Sequence, residues 1–316
     1  MKAHFLWAAS VVIPIIIYMV VGACIRRLGL FSVAHFKALN KLLFNTLIPF
    51  TLFFDVFHAD LAASIQGEVF GFVFLSILLI FGFTWALIRI RVKEGRDCSA
   101  IVQGIFRSNF VLYGATIAHA ICGAEGIALI AALAAMVVPL FNVLAVILFE
   151  STRGGKASVE DICKGIARNP LILAALVGLL GNVLGLELPG LVEEPLENLA
   201  SMATPLALVS LGGTLSFASM ASHRKYLIAA VTGRLVVVPV LMMGCAIALG
   251  FRGDALVAYL AIFATPTAVS SAPMAQVMGS NGELAGEIVA VTSVLSCVTM
   301  FLFVSFLSAG GWIVPA

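Results

Sequence analysis

The chain has 316 residues, of which 62% are hydrophobic and 11% are charged, with a net charge of +2 and a mean hydropathy of +1.13. Soluble globular proteins are roughly half apolar and a quarter charged, so this composition excludes an ordinary soluble domain, and the small net charge gives no support to a nucleic-acid partner. The apolar residues form long runs, and about 20 such residues cross the hydrocarbon of a bilayer as a helix. The sequence therefore predicts an all-α polytopic membrane protein.

Ten transmembrane helices are predicted, joined by short loops without a soluble domain. In chain order they cover residues 5–23, 36–57, 68–90, 98–121, 125–150, 169–187, 194–217, 225–249, 254–278 and 283–308. The first run is followed by Arg26 and Arg27, which is typical of a first span and not of a cleavable signal sequence. Residues 151–168 are the one candidate linker.

The basic residues between the spans predict the orientation of the protein. Thirteen of them lie in the loops that follow spans 1, 3, 5 and 7, whereas the opposite side carries only Lys2 and Arg252. Short loops rich in Lys and Arg remain in the cytoplasm. We therefore expect a multi-pass protein of the cell membrane with both termini outside the cytoplasm and Lys156 inside.

The chain also repeats itself at an offset of 156 residues. Pro14 falls on Pro170 and Pro49 on Pro205. The same offset places Gly22, Gly29, Gly123 and Gly126 on Gly178, Gly185, Gly279 and Gly282. Weak internal repeats of this kind are typical of transporters. Because each repeat holds five spans, an odd number, residues 1–150 and 151–316 are predicted to have inverted topologies.

Two equivalent spans carry polar interruptions. The fourth contains GIFRSNFVLYG, residues 104–114, and the ninth contains ATPTAVSSAP, residues 264–273. Pro266 and Pro273 lack the N–H that a continuous helix needs, and broken helices are tolerated in a membrane where they are buried in protein or line a wet cavity. Paired breaks in two inverted halves indicate a substrate site, and the N-termini of the half-helices favour an anion.

The two interruptions supply the candidate site residues. Asn109 can both donate and accept a hydrogen bond. Arg107 costs at least about 2.5 kcal/mol in lipid, so it contacts a ligand, extends towards the membrane surface, or pairs with a carbonyl group that braces the bundle. The candidate substrate-binding residues are Arg107, Ser108, Asn109, Gly114, Thr116, Thr265, Pro266, Thr267, Ser270 and Ser271. Helix kinks are predicted at Pro49, Pro205 and Pro273.

Other polar residues in or near the spans are interpreted structurally. Arg234 is expected to pair with Glu287 or to extend towards the membrane surface, and Glu287 to face the cytoplasmic headgroups. Asn142 follows Pro139 and is interpreted as a helix-packing residue or, alternatively, as a ligand contact. Asp55 and His58 lie near the end of the second span, where solvation accounts for them.

No enzyme motif is visible in the sequence. It contains neither H-E-x-x-H nor G-x-S-x-G, and Glu150 stands where a phosphate-binding loop ending in Gly155-Lys156 would need glycine. The aspartates are isolated, and the sequence contains no cluster of metal ligands. We therefore predict that the protein is not an enzyme and needs neither a cofactor nor a metal.

Several segments together resemble one family. They are Asn40-Lys41-Leu42-Leu43 with Leu47-Ile48-Pro49, then Arg107-Ser108-Asn109 with Gly114, Asn169-Pro170-Leu171-Ile172, Thr204-Pro205-Leu206-Ala207-Leu208, and Thr265-Pro266. In their order and spacing they are similar to the conserved segments of the auxin efflux carrier family. The resemblance covers nearly the whole chain.

This resemblance implies a fold and a mechanism. The fold would be that of the bile acid sodium symporters, with a scaffold of spans 1, 2, 6 and 7 and a transport domain of spans 3–5 and 8–10. The fourth and ninth spans would cross at their unwound centres, and the transport domain would move as an elevator. The chain departs from the family pattern at Val111 and Thr116, which replace a glycine and a proline.

The resemblance also indicates a substrate class. Bacterial members are associated with small carboxylates such as malonate or malate, and plant members carry auxin. A chain without a long central loop fits a bacterial-type member in the inner membrane of the cell. The sequence thus predicts a secondary active transporter of a small organic anion.

Two alternatives stay open at this point. One is a sodium-coupled symporter of the bile acid carrier type, although residues 98–121 and 255–278 contain no Asp or Glu that could hold sodium. The other is a membrane sensor that does not transport. The sequence leaves open the substrate, the direction of transport, the coupling ion (H+ or Na+) and whether the chain forms a homodimer.

Overall fold

The structure, a computed structural model, describes residues 2–59, 67–121, 123–152 and 159–313. Within these ranges the chain is all-helical. The helices are α1 Lys2–Arg27, α2 Val33–Leu42, α3 Ile48–Phe57, α4 Gly67–Arg91, α5 Gly95–Phe106, α6 Phe110–Ile121, α7 Gly123–Thr152, α8 Val159–Arg168, α9 Pro170–Val183, α10 Gly190–Ser201, α11 Ala203–Thr214, α12 Phe217–Ser222, α13 Arg224–Thr232, α14 Val238–Ala248, α15 Gly253–Phe263, α16 Ser271–Val277 and α17 Gly282–Ala309. Short π-helical segments, Leu43–Leu47 and Gly233–Val237, join α2 to α3 and α13 to α14.

Among the described residues, four helical stretches are long and apolar enough to cross a membrane without a break. They are Gly67–Arg91, Ala128–Thr152, Arg224–Ala248 and Gly282–Ala309. Several of the other predicted spans are divided, because α5 is separated from α6, α10 from α11 and α15 from α16. The all-α, multi-pass membrane architecture predicted from composition is confirmed.

Two helix pairs make equivalent close contacts. α1 packs along α11, and α9 packs along α3. A methyl group at Gly22 would overlap the carbonyl oxygen of Val209, and one at Gly178 would lie 2.5 Å from the carbonyl oxygen of Phe53. Because 156 residues separate Gly22 from Gly178 and also Phe53 from Val209, the two contacts are related by the offset seen in the sequence.

A second group of helices surrounds the two interruptions. α6 packs against α7 and α15, and α17 packs against α5 and α16. The interruptions lie inside this group, with residues 107–109 between α5 and α6 and residues 264–270 between α15 and α16. The backbone leaves the helical conformation at Arg107, where φ is −90° and ψ is 117°.

Local sequence accounts for several helix ends. Asn169 caps α9 by accepting a hydrogen bond from the Leu171 amide at 2.9 Å, and Pro170 occupies the first helical position, where no N–H is needed. Pro49 lies in the first turn of α3, just after the π-helical segment Leu43–Leu47, Pro205 lies in the first turn of α11, and Pro273 lies in α16. The segment 151–168, predicted as a linker, instead contains helix α8.

Candidate functional site

The two interruptions meet as a short antiparallel pair of backbone segments. Ser108 and Thr267 form a single β-bridge, in which the Asn109 amide donates to the Pro266 carbonyl at 2.8 Å and the Ala268 amide donates to the Arg107 carbonyl at 3.3 Å. The Thr267 hydroxyl adds a bond to the Gly104 carbonyl at 2.6 Å. These contacts satisfy backbone groups that the broken helices leave without partners, as a membrane interior requires. We call residues 107–109 and 264–270 the crossover.

A cavity of about 180 Å³ lies between the crossover and helices α3, α7 and α11. This volume is below the roughly 300–1,000 Å³ of clefts that hold drug-sized ligands, so it suits a small molecule. The polar residues that line the cavity are Thr51, Asp55, Arg107, Ser108, Asn109, Thr204 and Ser270. Four of the predicted site residues are therefore brought together at one cavity.

Arg107 is the charged residue on the crossover side of this cavity. Its side chain is only 4% exposed, and its guanidinium donates to Asn142 Oδ1 at 2.9 Å, to Ser270 Oγ at 3.0 Å and to Met274 Sδ at 2.9 Å. These bonds use three of the five N–H groups of a guanidinium. Among the described residues no carboxylate pairs with it, so the structure holds a buried positive charge that is hydrogen-bonded but not neutralised.

The same wall of the cavity presents further donors. The Asn109 Nδ2 and Ser108 Oγ atoms are buried and have no hydrogen-bond partner in the described part of the chain. The amides of Phe110 and Val111, at the start of α6, likewise donate to no acceptor there. A helix N-terminus carries unpaired N–H groups and a partial positive charge, so this wall can receive an anion.

Asp55 lies on the opposite side of the cavity, on α3. Its carboxylate has no hydrogen-bond partner among the described residues, and the solvation expected for it near a span end is only partial because the residue is half-buried. A carboxylate that faces the wall of Arg107 adds negative charge to the cavity. The negative charge of Asp55 therefore repels any anion that binds in the same cavity.

The remaining predicted site residues have other positions. Thr265, Pro266 and Thr267 are crossover residues that hold backbone contacts and do not line the cavity. Ser271 is buried at the start of α16, and Gly114 packs against Ile130 and Ala261. The side chain of Thr116 lies outside the part of the chain that is described.

The structure corrects the expectation for Arg234. The residue is fully buried in the second π-helical segment, and it neither pairs with Glu287 nor extends to the membrane surface. Its guanidinium instead donates to the carbonyls of Ile105, Ile262, Phe263 and Thr265 at 2.7–3.1 Å. The sequence could not predict this role, because the acceptors are backbone carbonyls, which every residue has.

One more expectation was wrong. Glu287 does not face headgroups but is fully buried, with Oε2 lying 3.1 Å from His223 Nδ1. The Asn142 side chain joins α7 to the crossover, because it accepts from Arg107 and donates to the Val138 carbonyl at 2.9 Å. Arg107 and Asn142 are 35 positions apart in the sequence, and nothing in the sequence signals that the two side chains meet.

One group of possible metal ligands lies away from the crossover. His58 Nε2 lies 2.7 Å from Glu193 Oε1, and His58 Nδ1 lies 3.5 Å from Glu197 Oε1. These side chains are partly exposed, and both imidazole nitrogens face carboxylates. His58, at the C-terminal end of α3, is thus shared by two acidic residues of α10.

A second, larger cavity of about 620 Å³ opens beside the crossover helices. Its lining includes Arg26, Lys37 and Arg96, which belong to the loops with excess positive charge. Ala207 on α11 lines both cavities. The two spaces are thus neighbours along α11.

Comparisons with known proteins agree with this architecture. Residues 8–304 match the family described as membrane transport protein. The chain is also 26% identical over 313 residues to an uncharacterized transporter of Methanothermobacter thermautotrophicus, and the alignment covers 98% of each chain. Both findings indicate a transporter in a lipid bilayer. The chain belongs to the membrane transport protein family, the auxin efflux carrier group that its motifs resemble.

Proposed function

We propose that the protein is a secondary active transporter of a small organic anion, and that the anion binds in the 180 Å³ cavity at the crossover. The observation that carries the proposal is Arg107, a buried cation with unused donors and no carboxylate partner in the described chain. A buried charge is costly unless it is paired. An anionic substrate supplies the missing partner.

The substrate is a carboxylate of few atoms, such as malonate or malate. A carboxylate accepts two parallel bonds from a guanidinium, and the Asn109 amide and the first N–H groups of α6 surround it with further donors. Apolar groups of Ile48, Leu52 and Phe141 complete the wall and fit a short carbon chain. An auxin-like acid is the larger alternative.

Ten spans form two inverted repeats, residues 1–150 and 151–316. The pair of contacts Gly22–Val209 and Gly178–Phe53 supports this arrangement, because a two-fold relation between the halves generates both contacts from one. Spans 1, 2, 6 and 7 form the scaffold, as the packing of α1 on α11 and of α3 on α9 suggests. The helices around the crossover form the transport domain.

Movement of the transport domain along the scaffold gives alternating access. The anion cavity lies between α3 and α11 of the scaffold and the crossover of the transport domain, so a sliding motion carries the bound anion. The second cavity, lined by Arg26 and Lys37, is the route to the cytoplasm in a cell membrane where both termini are outside.

Binding and transport are tested separately. The purified protein is first screened for thermal stabilisation by mono- and dicarboxylates, and the best ligand is then followed by uptake into proteoliposomes. We expect saturable stabilisation and uptake by wild type, and loss of both in Arg107→Gln, whereas Arg252→Gln, at an exposed arginine, retains both.

The outcomes separate the alternatives. Stabilisation without uptake would favour a membrane sensor, and uptake that requires sodium would favour a symporter of the bile acid carrier type. A protein that binds no carboxylate, or whose binding is unchanged in Arg107→Gln, would refute the proposal.

A further inference from the structure

Arg234 connects the two halves of the crossover from behind the anion cavity. Its Nε donates to the Thr265 carbonyl at 2.7 Å, and its Nη2 donates to the carbonyls of Ile262 and Phe263 at 2.9 and 3.0 Å. Its Nη1 reaches the other interrupted span and donates to the Ile105 carbonyl at 3.1 Å. One guanidinium thus binds the C-terminal ends of both α15 and α5.

These carbonyl groups form a cation site. The last carbonyls of a helix lack partners within the helix, and the helix dipole places partial negative charge there. In transporters with broken helices, such C-terminal ends and unwound carbonyls coordinate Na+ or H+. Here the C-terminal ends of α5 and α15 converge, and the positive charge between them is the guanidinium of Arg234.

The surroundings of Arg234 supply dipoles but no counter-charge. The side chain is 0% exposed, and no carboxylate contacts it in the described part of the chain. Glu287, the buried acidic residue of α17, is bonded to His223 instead. Four carbonyl oxygens therefore surround the guanidinium. Backbone carbonyl oxygens are also ligands that can replace the hydration shell of an alkali cation.

We propose that Arg234 is the resident cation of the crossover and takes the place of a coupling sodium ion. The carbonyl oxygens that a sodium ion would bind are already occupied by N–H donors, and a second cation beside them would meet a like charge. The crossover is therefore assembled without bound sodium, and Arg234 acts as a positioning residue for the cavity on its far side. Only one part of this proposal rests on the proposed function, namely that transport is not coupled to sodium.

The first test measures stability and needs no substrate. The purified wild type, Arg234→Lys and Arg234→Met are compared by thermal unfolding in sodium chloride and in choline chloride of equal ionic strength. We expect the melting temperature of wild type to be the same in both salts. We expect Arg234→Met to melt lower by on the order of 10 °C, with Arg234→Lys between the two because it keeps the charge and loses the planar fork.

The second test restores the missing group. Arg234→Ala removes the guanidinium and leaves its four carbonyl partners, so low concentrations of methylguanidinium should raise the melting temperature of this variant and not that of wild type. Arg107→Ala serves as the matched control, because its guanidinium binds side chains of Asn142, Ser270 and Met274 and not helix-end carbonyls.

The results can overturn the proposal in two ways. Saturable stabilisation of wild type by sodium would show a separate sodium site, and an Arg234→Met variant as stable as wild type would show that no cation is needed. If Arg234→Ala does not fold, the salt comparison on wild type and the Arg234→Lys variant still decide. Carboxylate binding enters none of these measurements, so failure of the anion proposal leaves them interpretable.

Discussion

Replacing Asn109 with alanine should weaken binding without weakening the fold. The Asn109 Nδ2 is buried without an acceptor among the described residues, and an unsatisfied buried polar group costs about 1–3 kcal/mol. Alanine removes that penalty from the unliganded protein. The backbone bond from the Asn109 amide to the Pro266 carbonyl does not depend on the side chain, so the crossover persists. We expect a melting temperature equal to that of wild type or higher.

The effect on the ligand has the opposite sign. A hydrogen bond to a charged group contributes about 1.5–3 kcal/mol, so loss of the Asn109 donor should weaken carboxylate binding roughly 10- to 100-fold. Titration calorimetry with malonate, or with the carboxylate that stabilises wild type most, measures the affinity, and thermal unfolding measures the stability.

Asn142→Ala is the matched control for this substitution. The Asn142 amide is 1% exposed and bonded through both its oxygen and its nitrogen, so its removal should lower the melting temperature as well as the affinity. If Asn109→Ala lowers stability sharply and leaves the affinity unchanged, Asn109 is a structural brace and our reasoning about the cavity is wrong.

Substitutions at four other positions test the cavity, the helix packing and the topology. Arg107→Lys should reduce carboxylate affinity at least tenfold, because lysine lacks the planar fork; equal affinity would mean that Arg107 supplies only diffuse charge. Asp55→Asn should tighten carboxylate binding by removing a facing negative charge, and weaker binding would assign Asp55 to the ligand. Gly178→Ala should cost about 1–3 kcal/mol of stability through overpacking, whereas Gly244→Ala, which meets nothing within 4 Å, should cost none. A cysteine at position 156, outside the described residues, should be inaccessible to impermeant reagents in intact cells; labelling there would reverse the topology.

The positions of the helix breaks could be read from the sequence. Arg107, Ser108 and Asn109 are polar in an otherwise apolar run, and Pro266 removes an N–H from the equivalent span, so both patterns signal a helix that cannot continue. The structure places non-helical backbone at both positions. Local chemistry sufficed here, because a helix break depends on the residues at the break.

The opposite wall of the cavity could not be predicted. Thr51, Asp55 and Thr204 line it from α3 and α11, but which face of a helix meets the crossover depends on how separate helices pack. The partners of the two buried arginines, Arg107 and Arg234, could not be predicted for a similar reason. Arg234 bonds to backbone carbonyls, which every residue possesses, so sequence spacing holds no record of the contact.

The crossover also constrains the order of events during synthesis. The Thr267 hydroxyl and the Gly104 carbonyl that it binds are 163 residues apart in the chain, and a ribosome needs roughly 10 to 30 s for that length at about 5–20 residues per second. During this interval α5 and α6 have been made, whereas Pro266, whose carbonyl accepts from the Asn109 amide, has not. Because each unpaired backbone group costs several kcal/mol in hydrocarbon, we expect the Asn109 amide to need a temporary acceptor, such as water, until residues 264–270 have been made. The crossover is therefore completed late in synthesis, because a residue of the second interruption supplies the acceptor for an amide of the first.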